Sequence, residues 1–277
     1  MRLLTREMRM KRQKNSMMMV LLALVMAVAL GALALTGCGG SSSGGSKAND
    51  LKLVNSGKLT VLSDCDYPPF TTLDNGHAAG FEYDLCEAIA GKMGLQVNYL
   101  EPQKFDTIVT TIKSGGKADI GVSCFTINEE RAKEIDFSDA YFDSNQGLVV
   151  MSDSGIEGTD GLADKKVAAQ SGTTGEEWAN ENISGAQIVP LDTATDCFEA
   201  LQSGQVDGIC LDLPVAQNDI KMSYPDAKVI LEIPTGEQYG MVISKDNTAL
   251  KDAVNKALGE VKADGTYQKL MDKYGFQ

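Results

Sequence analysis

The sequence predicts an α/β protein built as two similar lobes with a ligand cleft between them. Three observations predict it. Residues 59–122 read β-α-β-α-β, residues 166–212 repeat that order, and both runs share a local feature. The first run has Lys113-Ser-Gly-Gly-Lys-Ala-Asp119 between a helix and a strand, and the second has Gln202-Ser-Gly-Gln-Val-Asp207 in the same place. Such β-α-β units imply parallel strands with right-handed crossovers.

Each element has a local reason. Leu59–Ser63 is a short apolar run, read as a buried strand. Tyr67-Pro68-Pro69-Phe70 is excluded from helix, because each Pro forces its predecessor into extended backbone. Phe81–Gly94 places Phe81, Leu85, Ile89 and Met93 at four-residue steps, a helix with one apolar face that Gly94 stops. Val97–Leu100 is a strand, Phe105–Lys113 a helix ended by Gly115-Gly116, and Ala118–Val122 a strand. The second run reads Lys166–Ala169 strand, Thr173–Asn182 helix, Gln187–Pro190 strand, Thr193–Ser203 helix and Gly208–Asp212 strand. Gly240–Ser244 (strand), Leu250–Ala263 (amphipathic helix) and Thr266–Tyr274 (helix) complete the chain.

The chain has 277 residues and a net charge of -13. That balance excludes a nucleic-acid binder, which needs Lys and Arg for phosphate contacts. The charge is uneven. Residues 1–37 carry six basic residues and one acid, a net of +5, and the rest of the chain is -18. Residues 17–35 are continuously apolar behind that basic head, the order of a secretory signal. Leu35-Thr36-Gly37-Cys38 resembles a bacterial lipobox, which implies cleavage before Cys38 and diacylglycerol on its sulfur. Gly39–Ser46 is a flexible tether. The expected division is therefore 1–37 signal peptide, 38–50 lipidated Cys and tether, 51–146 plus 240–277 lobe 1, and 147–239 lobe 2. Five Cys remain after Cys38: Cys65, Cys86, Cys124, Cys197 and Cys210. They lack close CxxC pairs, so neither a metal nor a cofactor is implied. Buried free thiols are expected, with Cys197–Cys210 and Cys65–Cys124 open as pairs.

Four polar clusters follow predicted strands, where ligands of open α/β sheets sit. They are Asp64-x-x-Tyr67-Pro-Pro-Phe70, Thr126–Arg131, Ser171-Gly172-Thr173-Thr174 and Leu211-Asp212-Leu-Pro214. Together with GFEYDLCEAIAGKMG, TINEERAKEIDFSDAYF, VAAQSGTTGEEWA, GQVDGICLDLP, EQYGMVISKDN and LGEVKADGTYQKLMDKYG, these stretches resemble the polar amino acid ABC-transporter solute-binding proteins. That is family 3, of type 2 periplasmic-binding-protein fold. The resemblance covers nearly all of residues 59–275. It implies that Arg131 forks onto a ligand α-carboxylate, with two parallel charge-assisted bonds. Thr126 adds a hydroxyl and an N–H to that carboxylate, and Thr173 and Thr174 add a helix N-terminus. Asp212 receives the α-ammonium, while Tyr67 and Phe105 enclose the side chain. Asp64 implies a ligand side chain with a donor, and Asp66 beside it tilts the expectation toward a cationic or amide ligand. The sequence departs from some relatives at Gln170, where glutamine-specific ones carry Lys, at Leu211, and at Cys124, which replaces a small residue in the pocket loop.

The implied function is capture of a free L-amino acid, polar or basic, by lobe closure, and delivery to ABC permease subunits. The protein is expected to be a monomer, extracytoplasmic and held to the membrane through lipid on Cys38. The crossings near Asn145–Leu148 and Glu237–Met241 would form the hinge. A cyclohexadienyl-dehydratase-like enzyme on the same fold is the rival reading, and a stand-alone sensor domain a second. The single His77, read as an exposed loop residue, and the lack of an acid–base pair, P-loop or GxSxG elbow weigh against catalysis.

Overall fold

The computed structural model describes residues 51–276. The expected signal segment, the Cys38 lipidation site and the tether lie outside the described residues. In chain order the first elements are β1 (Lys58–Leu62), β2 (Thr72–Asp74), β3 (His77–Ala79), α1 (Phe81–Met93), β4 (Gln96–Tyr99), α2 (Phe105–Ser114) and β5 (Ile120–Gly121). Next come α3 (Glu129–Glu134), β6 (Asp136–Phe137), β7 (Phe142–Met151), β8 (Lys166–Gln170), α4 (Thr174–Asn182), β9 (Gln187–Leu191) and α5 (Ala194–Gln202). The chain closes with β10 (Gly208–Asp212), α6 (Leu213–Met222), β11 (Ala227–Tyr239), β12 (Val242–Ile243), α7 (Thr248–Ala263) and α8 (Thr266–Tyr274).

Ten of the strands form two five-stranded sheets, one per lobe, of order β4-β1-β5-β12-β6 and β11-β7-β10-β8-β9, and β2 and β3 pair as a separate two-stranded sheet. In the first, β1 runs parallel to β4 and β5. In the second, β8 runs parallel to β9 and β10. Successive strand residues point to opposite faces. Val61 thus joins the layer that holds Leu85 and Ile89 of α1 and Leu250 and Val254 of α7, whereas Leu62 packs with Phe105, Ile108 and Ile112 of α2. Likewise Ala168 and Ile209 face α5 and α6, while Val167 and Cys210 face Ala179 of α4. Each sheet is therefore covered on both faces, as parallel strands require.

Several elements differ from the sequence reading. The two crossings are long paired strands, ten residues in β7 and thirteen in β11. Their antiparallel pairing runs from Ala227↔Met151 to Tyr239↔Phe142. The helix α6 was not expected from the sequence; Pro214 sits in its first turn, where its missing N–H has no helical partner to lose. His77 is exposed but opens β3, opposite Asp74, and is not a loop residue. Cys65, Cys86, Cys124, Cys197 and Cys210 are all buried free thiols, so neither open pairing is formed.

Candidate functional site

The carboxyl ends of β1 and β5 in one lobe face those of β8 and β10 in the other. Between them lies a cavity of about 200 Å³, lined by Tyr67, Phe105, Ser123, Cys124, Thr126, Arg131, Thr173, Thr174 and Asp212. Eight of the ten residues expected from the sequence thus share one cavity, and Ser123 joins them.

Arg131 owes its position to a short helix. The Asn128 side chain accepts the Arg131 N–H at 2.8 Å and caps α3. The guanidinium then lies 5.4 Å from the Phe105 ring and 5.7 Å from the Phe125 ring, two rings that stack on each other. A cation over aromatic faces is favourable and holds the fork in plane. Its Nη1 donates to the Thr126 carbonyl at 3.0 Å, and its Nη2 donates across the cleft to the Gly172 carbonyl at 2.9 Å. Burial works against the guanidinium charge, and Glu177, Asp212 and Glu237 support it. Gly172 is left-handed at φ 77, a conformation that side chains other than glycine's disfavour.

Thr173 is the N-cap of α4. Its hydroxyl accepts from Glu176 N–H at 3.2 Å and donates to the Gln170 carbonyl at 2.7 Å. Its side-chain capacity is thus largely spent on the fold, which leaves the helix N-terminus itself facing the cavity. Gly175 lets α4 approach: a Cβ there would stand 2.9 Å from Gln146 Oε1 and 3.1 Å from the Cys210 carbonyl oxygen.

Asp212 ends β10 almost fully buried. Its Oδ2 accepts from the Tyr239 hydroxyl at 2.5 Å, and its Oδ1 accepts from Gln146 Nε2. Burial, then the neighbouring charge of Glu237, pushes its pKa up to about 7. Cys124 is left-handed at φ 52, and its N–H donates to Glu82 Oε1 at 3.0 Å. The same oxygen accepts from the Tyr141 hydroxyl, and burial raises the Glu82 carboxyl to about 7. Glu82 therefore fixes the loop that carries Ser123 to Thr126. Burial first, then the negative charges of Glu82, Asp212 and Asp64, raises the Cys124 thiol well above its ordinary value, so it is no thiolate nucleophile.

Asp64 and Gln170 do not line the cavity. They bond to each other across the cleft at 3.1 Å, and Gln170 also donates to the Asp192 carbonyl at 3.2 Å. Asp64 Oδ1 accepts from Ser123 Oγ at 2.9 Å, and burial raises its carboxyl. Asp66 is turned elsewhere than expected. Its two oxygens accept from Thr195 N–H at 2.9 Å and Thr195 Oγ1 at 2.6 Å, at the start of α5. It is spent on a contact between the lobes, so it adds no acid to the cavity.

Sequence reasoning missed Gln146, Glu237, Tyr239 and Glu82 as site residues. The first three lie in or beside stretches read only as crossings. Strands that pass between two lobes form the floor of the cleft they connect, and that was the available signal.

Residues 59–277 match the model of the bacterial extracellular solute-binding proteins, family 3, and the chain belongs to that family. It is 32% identical over 228 residues to the L-cystine-binding protein TcyJ of Escherichia coli (strain K12), covering 80% of this chain and 84% of that one. Among solved structures it resembles an ancestral arginine-binding protein bound to arginine, at 38% identity and TM-score 0.74, over 79% of this chain and 98% of that chain. It also resembles the ancestral amino acid-binding protein AncCDT-1, a precursor of cyclohexadienyl dehydratase, at 37% identity and TM-score 0.73, over 79% and 95%.

Proposed function

We propose that the cleft binds a free L-amino acid, polar or basic, and that the protein delivers it to the permease of an ABC transporter. The observation that carries this reading is a pair of opposite charges from opposite lobes. Arg131 and Asp212 line one cavity between the lobes. A zwitterion has a carboxylate for the guanidinium and an ammonium for the carboxylate. A partly desolvated charge needs such a partner. Thr126, Thr173 and Thr174 serve the carboxylate end, and Tyr67, Phe105 and Cys124 bound the side chain. Asp64 and Gln170 close the pocket from behind, acting on the ligand through Ser123. The names of the relatives, which bind cystine and arginine, support an amino acid. Lipid on Cys38 then holds the domain at the membrane, and the protein works as a monomer.

The test is isothermal titration of wild type and Arg131→Ala against all common L-amino acids, with circular dichroism to verify folding. Wild type binds one or a few of them. The variant keeps its spectrum and loses at least ~100-fold in affinity, the scale of a lost charge-assisted fork at about 1.5–3 kcal/mol per bond. Near-normal affinity in the variant would overturn the site. Asp212, a cavity-lining carboxyl with a pKa of about 7, favours an acid-catalysis reading, so arogenate and prephenate belong in the same screen. They are expected to pass through unchanged.

A further inference from the structure

Glu237 sits where the two lobes and the two crossing strands meet. The pairing of β11 with β7 slips just before it. Ile233 faces Gln146, but Glu237 faces Ser144, so β11 spends four residues where β7 spends two. Gly236 is left-handed at φ 65 inside this bulge, and its N–H donates to Asn145 Oδ1 at 3.1 Å. Bulges of this kind re-aim a side chain. The side chain re-aimed here is Glu237, and it points at the cavity's threonines.

Thr126 Oγ1 donates to Glu237 Oε2 at 2.6 Å, and Thr174 Oγ1 donates to the same oxygen at 2.9 Å. Gln146 Nε2 lies 3.2 Å from both oxygens of Glu237. A hydroxyl has one proton to give. The two hydroxyls lie 3.4 Å apart, much farther than either lies from Glu237, so both protons go to Glu237 and only lone pairs remain for the cavity. Among the described residues, no Lys, Arg or His lies within salt-bridge distance of Glu237 to offset its charge. Arg131 faces the same space with donors to spare, since a guanidinium carries five N–H groups.

We propose that Glu237 is an internal competitor for the ligand carboxylate, an affinity-setting residue that holds the hydroxyl donors of Thr126 and Thr174. This rests on the reading of the cleft as an amino-acid site. A ligand carboxylate reaching those threonines meets acceptor lone pairs and a second carboxylate directly behind them. It must displace Glu237 from the hydroxyls, or make do with Arg131 and backbone N–H groups. Either way binding is weaker than the donor set allows, and the same competition assists release. Because Thr126 and Thr174 belong to opposite lobes, Glu237 also bridges the cleft in place of a ligand carboxylate. A ligand without that carboxylate feels none of this competition.

The experiment uses the full chain in detergent as wild type, Glu237→Gln and Glu237→Ala. Dissociation constants are measured for L-arginine, L-histidine, L-glutamine and L-cystine, and for the α-amides of the first three, with melting curves to verify folding. Both variants are expected to bind the amino acids that wild type binds tenfold or more tightly than wild type does. The matching α-amides should change by less than twofold. Unchanged or weakened amino-acid binding overturns the proposal, and so does equal tightening of the α-amides. Should one variant fail to fold, the other decides. Should wild type bind none of the four, the remaining common L-amino acids and their α-amides are run in the same way, and if none of those binds either, the amino-acid reading falls and the competitor role falls with it.

Discussion

Asp212 shows how much one buried carboxyl can report. Its pKa moves from an ordinary value of 3.8 to about 7, chiefly because burial disfavours the charge. Between those two values the folded protein keeps a proton that the unfolded chain releases. Stability therefore falls as pH rises through that window. Glu82 and Asp219 are pushed to about 7 by burial and act in the same direction. Ligand binding has the opposite sign, because an ammonium needs the ionised carboxylate. Below pH 7, binding should release a proton, and affinity should decline from pH 7 to pH 5. Titration calorimetry in buffers of different ionisation enthalpy measures that proton directly. In Asp212→Asn the release should disappear and affinity should be weaker at every pH. A proton count that survives the substitution would assign the linkage to another group.

At the scale of elements, glycines separate fold from site. Gly91 lies exposed in the last turn of α1, and a Cβ there meets nothing within 4 Å. Gly91→Ala should stabilise the protein by about 0.4–1 kcal/mol, since it reduces the freedom of the unfolded chain and suits a helix. Gly175 lies in the first turn of α4, where a Cβ presses on Gln146 Oε1 and on the Cys210 carbonyl. Gln146 is the residue that holds Asp212. Gly175→Ala should therefore weaken ligand binding at least threefold despite its better helix propensity. Denaturant melts and titrations of the two variants test this contrast. Equal effects on stability with no effect on affinity in Gly175→Ala would sink it. The helices themselves were legible, because their apolar steps and stop signals are local. The helices α3 and α6 were not, because α3 has only six residues and α6 follows β10 with no intervening loop. The long strands β7 and β11 were read only at their crossings, because their remaining residues pair with each other across long stretches of intervening chain, from Ala227↔Met151 to Tyr239↔Phe142.

Contacts outside the cavity add to those within it in tying the two lobes together. Asp66 reaches from the loop after β1 to the N-terminus of α5 and accepts two hydrogen bonds from Thr195. Lys104 pairs with Asp192 at 2.5 Å, but both side chains are more than half exposed, and such pairs contribute little. Asp66 is the stronger tie, since a carboxylate at a helix N-terminus is worth roughly 0.5–2 kcal/mol. Asp66→Ala should lower the closed fraction and weaken every ligand by one common factor of about 2–30. Small-angle scattering without ligand should show a larger radius of gyration. A change in the ranking of ligands would mean that Asp66 touches the ligand after all.

What the sequence determined by itself was the α/β class, the two-lobed repeat and most of the polar residues that line the cavity. These follow from periodicities, caps and strand-end positions that act over a few residues. Only the tertiary structure decided how those residues spend their hydrogen bonds. Asp66 looked like a cleft acid and is a tie between lobes. Asp64 and Gln170 looked like ligand contacts and bond to each other. Glu237, Gln146 and Tyr239 looked like hinge and form the floor beneath Asp212 and the threonines. A side chain's chemistry is written at its own position, but its partner comes from another part of the chain, and a two-residue bulge is enough to change which partner that is.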